Sequence, residues 1–161
     1  MSHCRMLYSF FFLQVQYTDL MHSTWVHEST ALVGDACHPT LPHLNQGAAQ
    51  AIEDAAVLSV VLSLLPSSSP TDIKKALRVY QELRKPRADL LVQLAAASGR
   101  ALHHGEGKDQ EERDKQFAAL KEDAKGKNPD KWADKEVQRM IFGEDVMKVA
   151  EERFEGLFAG M

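Results

Sequence analysis

Strand-like apolar runs occur in this sequence only before residue 35, and the later apolar residues recur at helical spacing. Residues 47–65, GAAQAIEDAAVLSVVLSLL, predict a mostly buried helix with a narrow polar side at Gln50, Glu53 and Asp54. A parallel sheet needs several strands that are covered on both faces. The sequence therefore predicts an α-rich α/β fragment, in which short strands precede a buried helix and several long helices.

Three stretches of different character follow one another along the 161 residues, although that length alone predicts a single domain. Residues 1–16 form an apolar stretch, residues 17–70 hold the strand, a loop and the buried helix, and residues 71–161 form a C-terminal helical region. In this last region Pro86 is expected to kink or interrupt a long helix. A final helix is predicted from roughly Asp134 to Phe158.

Composition limits the classes of partner and the compartment. The net charge of −4 argues against a nucleic-acid partner. The first apolar run, Met6 to Leu13, is far shorter than a segment that crosses a bilayer, so we expect no membrane span. Cys4 and Cys37 lie outside any C-x-x-C pattern, which favours a reducing compartment, and we expect a cytoplasmic location.

The stretch ALVGDACHPTLPHLNQGAAQAIEDAAVL places an aspartate after a strand and a glycine where a helix begins. Asp35 could accept hydrogen bonds from the hydroxyls of a sugar or polyol, and Gly34 would permit their close approach. The backbone N–H groups of Gly47, Ala48 and Ala49 would suit an electron-rich or anionic group. The alternative is that Asp35 caps a turn and that the glycine only begins a core helix.

These residues resemble the second flavin-binding motif of the FAD-dependent aromatic-ring monooxygenases, especially the fungal enzymes similar to salicylate hydroxylase. The likeness extends over residues 17–161, because YQELRKPRADLLVQLAAASG and NPDKWADKEVQRMIFGEDVMKVAEE also resemble later parts of that family. Residues 1–16 lie outside it. The sequence lacks the G-x-G-x-x-G unit of the family, so the chain is interpreted as the C-terminal segment of such an enzyme, from a truncated gene, a missed exon or a deliberate fragment.

The resemblance implies a role for each matching residue. Asp35 would bind the ribityl or ribose hydroxyl region of FAD, and Gly34 would shape the turn. Pro42 would lie beside the isoalloxazine ring. The backbone of Gly47, Ala48 and Ala49 would face the N1 and O2 edge of the flavin, which agrees with the argument from the helix terminus. No residue of this chain is assigned a catalytic role, and Glu53 and Asp54 are expected to serve helix-start electrostatics and local hydrogen bonds.

The resemblance also implies a reaction. In the intact family NAD(P)H reduces the flavin, and one atom of O2 is transferred to a small aromatic substrate. This chain alone would lack the pyrophosphate contacts, so we expect weak or absent FAD binding and no activity. The sequence does not predict the oligomeric state.

Two other classes of protein stay open at this stage. A non-catalytic helical interaction module would use the leucine-rich faces after residue 70. A metal-binding protein would use the cysteine and histidines Cys37, His38, His43, His103 and His104. Their spacings match no zinc pattern, so no metal site is expected. The aromatic residues Trp25, Trp132, Phe142 and Phe154 are predicted to be core anchors.

Overall fold

The computed structural model of the protein describes residues 24–122 and 128–161. The apolar stretch 1–16 therefore lies outside the described residues. Two short antiparallel strands, β1 (Val26–His27) and β2 (Thr30–Ala31), form a hairpin at the start. The hairpin turn uses a left-handed residue, Glu28, with φ of 52°. The strand predicted from the run TALV is thus only two residues long, and Leu32 and Val33 are exposed.

Five α-helices account for most of the described residues. They are α1 (Gly47–Ser63), α2 (Pro70–Leu102), α3 (Lys108–Glu122), α4 (Lys135–Phe142) and α5 (Val146–Ala159). Two 3-10 helices, Gly34–Ala36 and Pro42–Leu44, lie between the hairpin and α1. The architecture confirms the prediction of an α-rich chain with short strands at its start.

Side-chain caps explain where three of the helices begin. The Ser69 hydroxyl accepts a hydrogen bond from the backbone N–H of Asp72 at the start of α2, at 3.1 Å. The carboxylates of Asp134 and Asp145 do the same at the starts of α4 and α5. Such caps satisfy N–H groups that have no partner within the helix.

The core lies where α1, α2 and α5 pack together beneath the hairpin. Its largest buried side chains include Trp25 from the hairpin, Tyr80 from α2 and Phe154 from α5. The Tyr80 hydroxyl also donates a hydrogen bond to the backbone carbonyl of Leu32, at 3.0 Å, which ties the strand exit to α2. The segment before α1 is thereby fixed to the helical layer.

Three sequence predictions need correction. The predicted final helix is two helices, because Gly143 ends α4 and Asp145 caps a new start. Residues 70–102 form one helix that continues through Pro86. Helix α1 is not mostly buried, since five of its 17 residues are buried and Ile52 is 70% exposed, and the buried ones include the polar Gln50 and Asp54. No helix among residues 24–122 and 128–161 has the length and apolar character required to cross a membrane.

Two phenylalanines near the C-terminus should differ sharply in their contribution to stability. Phe154 is 4% exposed in the core, whereas Phe142, predicted from sequence to be a core anchor, is 65% exposed. We expect Phe154→Ala to lower the free energy of unfolding by about 3 to 5 kcal/mol, because a buried ring leaves a cavity. Phe142→Ala should change it by less than about 1 kcal/mol. Urea denaturation followed by circular dichroism measures both, and equal losses would contradict the placement of the two rings.

Candidate cofactor-binding site

The Gly34–Ala36 turn carries the aspartate that the sequence singles out. Gly34 is buried with φ of +61°, a conformation that side-chain-bearing residues rarely adopt. A Cβ at this position would also lie 3.3 Å from the Cβ of Ala51 in α1. Asp35 next to it is exposed, and its carboxylate has no hydrogen-bond or ion-pair partner among the described residues. The turn therefore presents a free carboxylate at the surface.

The start of α1 presents backbone donors. The first helical hydrogen bond runs from the N–H of Gln50 to the carbonyl of Gln46, at 2.8 Å. The N–H groups of Gly47, Ala48 and Ala49 precede this bond, and the Gln46 side chain does not cap them. A Cβ at Gly47 would lie 3.2 Å from Thr40 Cγ2, so the loop passes close to the helix start. Donors and the positive end of the helix dipole meet here.

The loop between these two features is held by a histidine. Pro42 is exposed and begins the 3-10 helix Pro42–Leu44, which ends at Asn45 in a left-handed conformation. The imidazole of His43 packs against Gly99 so closely that a Cβ there would lie 2.5 Å from the ring. It also lies 5.0 Å from the His103 ring, centroid to centroid. Burial and the proximity of His103 lower the pKa of His43, and a neutral ring suits this packing.

The sequence-predicted residues are brought to one corner of the molecule. Gly34 lies against Ala51, one turn into α1, and Thr40 lies against Gly47 at its first residue. The turn with Asp35 and the uncapped helix start are consequently neighbours in space. A surface depression of about 320 Å³ between α2 and α3, lined by residues 104–109, contains none of these residues.

Asp54 lies in the core and accepts a hydrogen bond from the Gly34–Ala36 turn. One carboxylate oxygen, Oδ2, accepts the backbone N–H of Gly34 at 3.0 Å and lies 2.6 Å from His38 Nε2. The other oxygen, Oδ1, accepts Arg84 Nε at 2.9 Å. Asp54, His38 and Arg84 are all essentially fully buried. Both oxygens of the buried carboxylate are therefore satisfied, as an interior charge requires.

Arg84 has its remaining donors engaged on α1. Its Nη1 donates to Glu53 Oε2 at 2.7 Å, and its Nη2 donates to Gln50 Oε1 at 2.7 Å. The polar residues that the sequence predicts on a narrow side of the helix thus all meet one guanidinium. This side of α1 faces α2 instead of solvent.

Arg87 continues the ion pairs one turn further along α2. It holds the Glu53 carboxylate through Nε at 2.8 Å and Nη2 at 2.9 Å, a bidentate pair. Its terminal nitrogens also donate to the backbone carbonyls of Met140 and Ile141, each at 2.8 Å, and to Glu144 at 3.2 Å. The same network that reaches Gly34 therefore also holds the end of α4.

Opposing effects set the pKa values of the two carboxyl groups in this network. Burial raises the pKa of Asp54, but hydrogen bonds from His38, the Gly34 N–H and Arg84 outweigh it and leave the pKa below the usual value. Burial likewise raises the pKa of Glu53, and Arg87 and Arg84 lower it further than burial raises it. Both groups are accordingly ionised near neutral pH.

The structure brings together part of the set considered for a metal. Cys37 and His38 lie with Asp54, and their ligand atoms are all within 4.8 Å of one another. Burial, with the charge of Asp54, raises the pKa of Cys37 to about 12, which keeps the thiol protonated and unsuited to metal binding. The Asp54 oxygens already accept from protein donors. The cluster is explained by hydrogen bonding.

Sequence reasoning missed the two residues that organise the site, Asp54 and Arg84. Glu53 and Asp54 were expected to make local hydrogen bonds, whereas Arg84 Nε reaches Asp54 across 30 positions. The available signal was the coincidence of two adjacent acids in an apolar helix with Arg84 and Arg87 in the next helix.

Known relatives of this chain are FAD-dependent monooxygenases. It is 46% identical over 98 residues to FAD-dependent monooxygenase atnJ of Arthrinium sp, across 59% of this chain and 22% of that protein. It is 35% identical over 129 residues to FAD-dependent monooxygenase OpS4 of Beauveria bassiana, across 79% and 30%. It is 41% identical over 91 residues to 3-amino-4-hydroxybenzoate 2-monooxygenase PtmB3 of Streptomyces platensis, across 56% and 22%.

A solved structure has a fold similar to that of this chain. The crystal structure of FqzB superposes with a TM-score of 0.63 and 26% identity, over 86% of this chain and 28% of that chain. No protein-family model matches the sequence. The chain belongs to the FAD-dependent monooxygenases. It spans between 15% and 30% of the length of the curated relatives it matches.

Acid should destabilise the protein through Glu53 and Asp54. Because their folded pKa values lie below the unfolded ones, near 4, the unfolded chain takes up protons first as the pH falls. The stability they contribute is full above about pH 5 and is lost as the pH falls through the folded values, at about 1.4 kcal/mol per pKa unit. Urea denaturation from pH 6 to pH 3 should show a smaller loss in Glu53→Gln than in the wild type. The exposed Glu152→Gln serves as control, and an identical loss in Glu53→Gln would refute the assignment.

Proposed function

We propose that this chain supplies the ribityl-facing and flavin-facing half of an FAD site in a monooxygenase. One observation carries the proposal: the Gly34–Asp35 turn and the uncapped start of α1 lie side by side. The residues present fit the cofactor, since a flavin offers hydroxyls for a carboxylate and an electron-rich ring edge for backbone N–H groups. Family membership supports the choice of FAD.

Each of these residues has a distinct role in the proposed FAD site. The Asp35 carboxylate accepts hydrogen bonds from ribityl or ribose hydroxyls, and Gly34 allows them to approach the backbone. The N–H groups of Gly47, Ala48 and Ala49 face the N1 and O2 edge of the ring, where the helix dipole stabilises negative charge. Pro42, exposed in the intervening loop, lies beside the ring.

The intact protein would hydroxylate a small aromatic substrate. FAD, when bound, supplies electron transfer from NAD(P)H and insertion of one oxygen atom from O2. The name of the relative PtmB3, a 3-amino-4-hydroxybenzoate 2-monooxygenase, supports an aromatic substrate. The residues of this chain bind and orient the flavin. Because the sequence contains no G-x-G-x-x-G, we expect it to hold the pyrophosphate weakly and to be inactive alone.

The structure gives less support to a helical interaction module. That function needs the leucine-rich faces after residue 70 to be exposed, but Leu77 and Leu91 are buried. Leu83 and Leu94 are half-buried, and Leu90 is exposed. These faces pack mainly within the chain. Strong self-association in a concentration series would favour the module instead.

Nuclear magnetic resonance titration should distinguish the proposed half-site from a complete FAD site. We expect FMN at millimolar concentration to shift the backbone amide signals of Gly34, Asp35 and residues 47–49. ADP should leave these signals in place, because it lacks the ribityl chain and the ring. FAD should act like FMN and be lost from the protein during gel filtration.

A charge-matched pair of variants checks the role of Asp35. Asp35→Ala should weaken FMN binding by at least about tenfold, since hydrogen bonds to a charged group contribute roughly 1.5 to 3 kcal/mol. Asp114→Ala removes an exposed carboxylate that, among the residues the structure describes, pairs with the adjacent Arg113, and it should leave FMN binding unchanged. Equal shifts by ADP and FMN, or no shift with FMN, would overturn the proposed half-site.

A further inference from the structure

We infer that Asp54 is a positioning residue for FAD, which sets the Gly34–Asp35 turn through the hydrogen bond to the Gly34 N–H. The inference rests on the proposed function, because it assigns to a buried residue the geometry of the turn that would meet the cofactor. Asp54 is itself fully buried, beneath the turn that carries Asp35. Its effect on binding is therefore indirect.

One carboxylate oxygen of Asp54 contacts both ends of the turn that contains Asp35. Asp54 Oδ2 accepts from Gly34 N at 3.0 Å and lies 2.6 Å from His38 Nε2. These two residues are the ends of a five-residue turn that contains Asp35. The turn is also closed internally, since the N–H groups of Cys37 and His38 both donate to the Gly34 carbonyl at 3.0 Å. A single buried oxygen thus fixes both ends of the turn.

The carboxylate of Asp54 is itself held in one orientation. Arg84 Nε donates to Oδ1 at 2.9 Å, and the Nη atoms of Arg84 are engaged by Glu53 and Gln50. Rotation of the carboxylate would break the contact with Arg84 or the contact with Gly34. Asp54 therefore fixes the position of the turn relative to both α1 and α2.

Asp54 influences the direction of the Asp35 side chain through the backbone of Gly34. Gly34 has φ of +61°, its N–H is held by Asp54, and its carbonyl accepts from the N–H groups of Cys37 and His38. The Gly34 N–H belongs to the peptide between Val33 and Gly34, one residue before Asp35, so the direction of the Asp35 carboxylate depends on where this peptide is held. A charge-assisted bond from a carboxylate to a backbone N–H is about twice as strong as a neutral one. The conformation of the turn therefore depends on the charge of Asp54.

The variant Asp54→Asn keeps the shape of the side chain and replaces one acceptor oxygen by a donor. We expect the Gly34 amide proton to move upfield and to exchange with solvent at least about tenfold faster, because a charge-assisted hydrogen bond is lost. FMN binding, followed by the amide shifts at residues 47–49, should weaken by about tenfold because the turn is displaced.

The control is Val61→Ala, which removes buried volume near the end of α1, ten residues after Ala51, the α1 residue next to Gly34. It should lower the stability and leave both the Gly34 amide proton and the FMN affinity unchanged. If Val61→Ala weakens FMN binding as much as Asp54→Asn does, Asp54 acts only through stability and the inference is overturned. If the wild type shows no shift with FMN, the proposed function fails and the inference falls with it.

Two further measurements keep the test decisive if Asp54→Asn does not fold. In the wild type, a scalar coupling through the hydrogen bond should connect the Gly34 nitrogen with the side-chain carboxyl carbon of Asp54. The variant His38→Leu removes the partner of Asp54 Oδ2 at one end of the turn and leaves the pair with Arg84 intact, so FMN binding should weaken several-fold in a folded protein. Absence of the coupling, or unchanged FMN affinity in folded His38→Leu, would overturn the inference.

Discussion

The ion pair between Asp54 and Arg84 is the interaction on which the rest of the structure depends. Both side chains are removed from water, which costs several kcal/mol for each charge before any partner is counted. The cost is offset because each oxygen of the carboxylate and each nitrogen of the guanidinium has a partner: Gly34 and His38 bind the carboxylate beside Arg84, and Glu53 and Gln50 bind the guanidinium. Loss of either partner would leave the other as an uncompensated buried charge.

The pair also explains why distant segments behave as one unit. Through Asp54 it reaches the turn before α1, and through Glu53 it reaches Arg87, which holds the carbonyls of Met140 and Ile141. The end of α4 and the Gly34 turn are thereby joined by polar contacts that cross α1 and α2. Buried polar networks of this kind specify geometry, because alternative arrangements leave groups unsatisfied.

The sequence predicted which residues form the candidate site but not the buried ion pair that holds them in position. Gly34, Asp35 and the start of α1 were readable because glycine and proline punctuate the chain and small residues begin the helix. The orientation of α1 was not readable: a periodic polar side indicates a solvent-exposed face until its partner, Arg84, is placed opposite. The division into α4 and α5 had a local signal, Asp145 after Gly143, which a continuous apolar periodicity concealed. Tertiary pairing decided the first difference, and local capping decided the second.

Three departures from ordinary stability rules coincide at this corner. Gly34 adopts a positive φ, α1 begins without a side-chain cap, and the charge of Asp54 is buried beneath both. A side-chain cap at Gln46 would stabilise α1 by about 1 kcal/mol, as the caps of α2, α4 and α5 illustrate. Such a cap would also occupy the N–H groups of Gly47, Ala48 and Ala49 that the proposed flavin site needs. Departures from local stability rules cluster at functional sites. In this protein the start of α1 has no side-chain cap, and the buried ion pair between Asp54 and Arg84 fixes the local geometry instead.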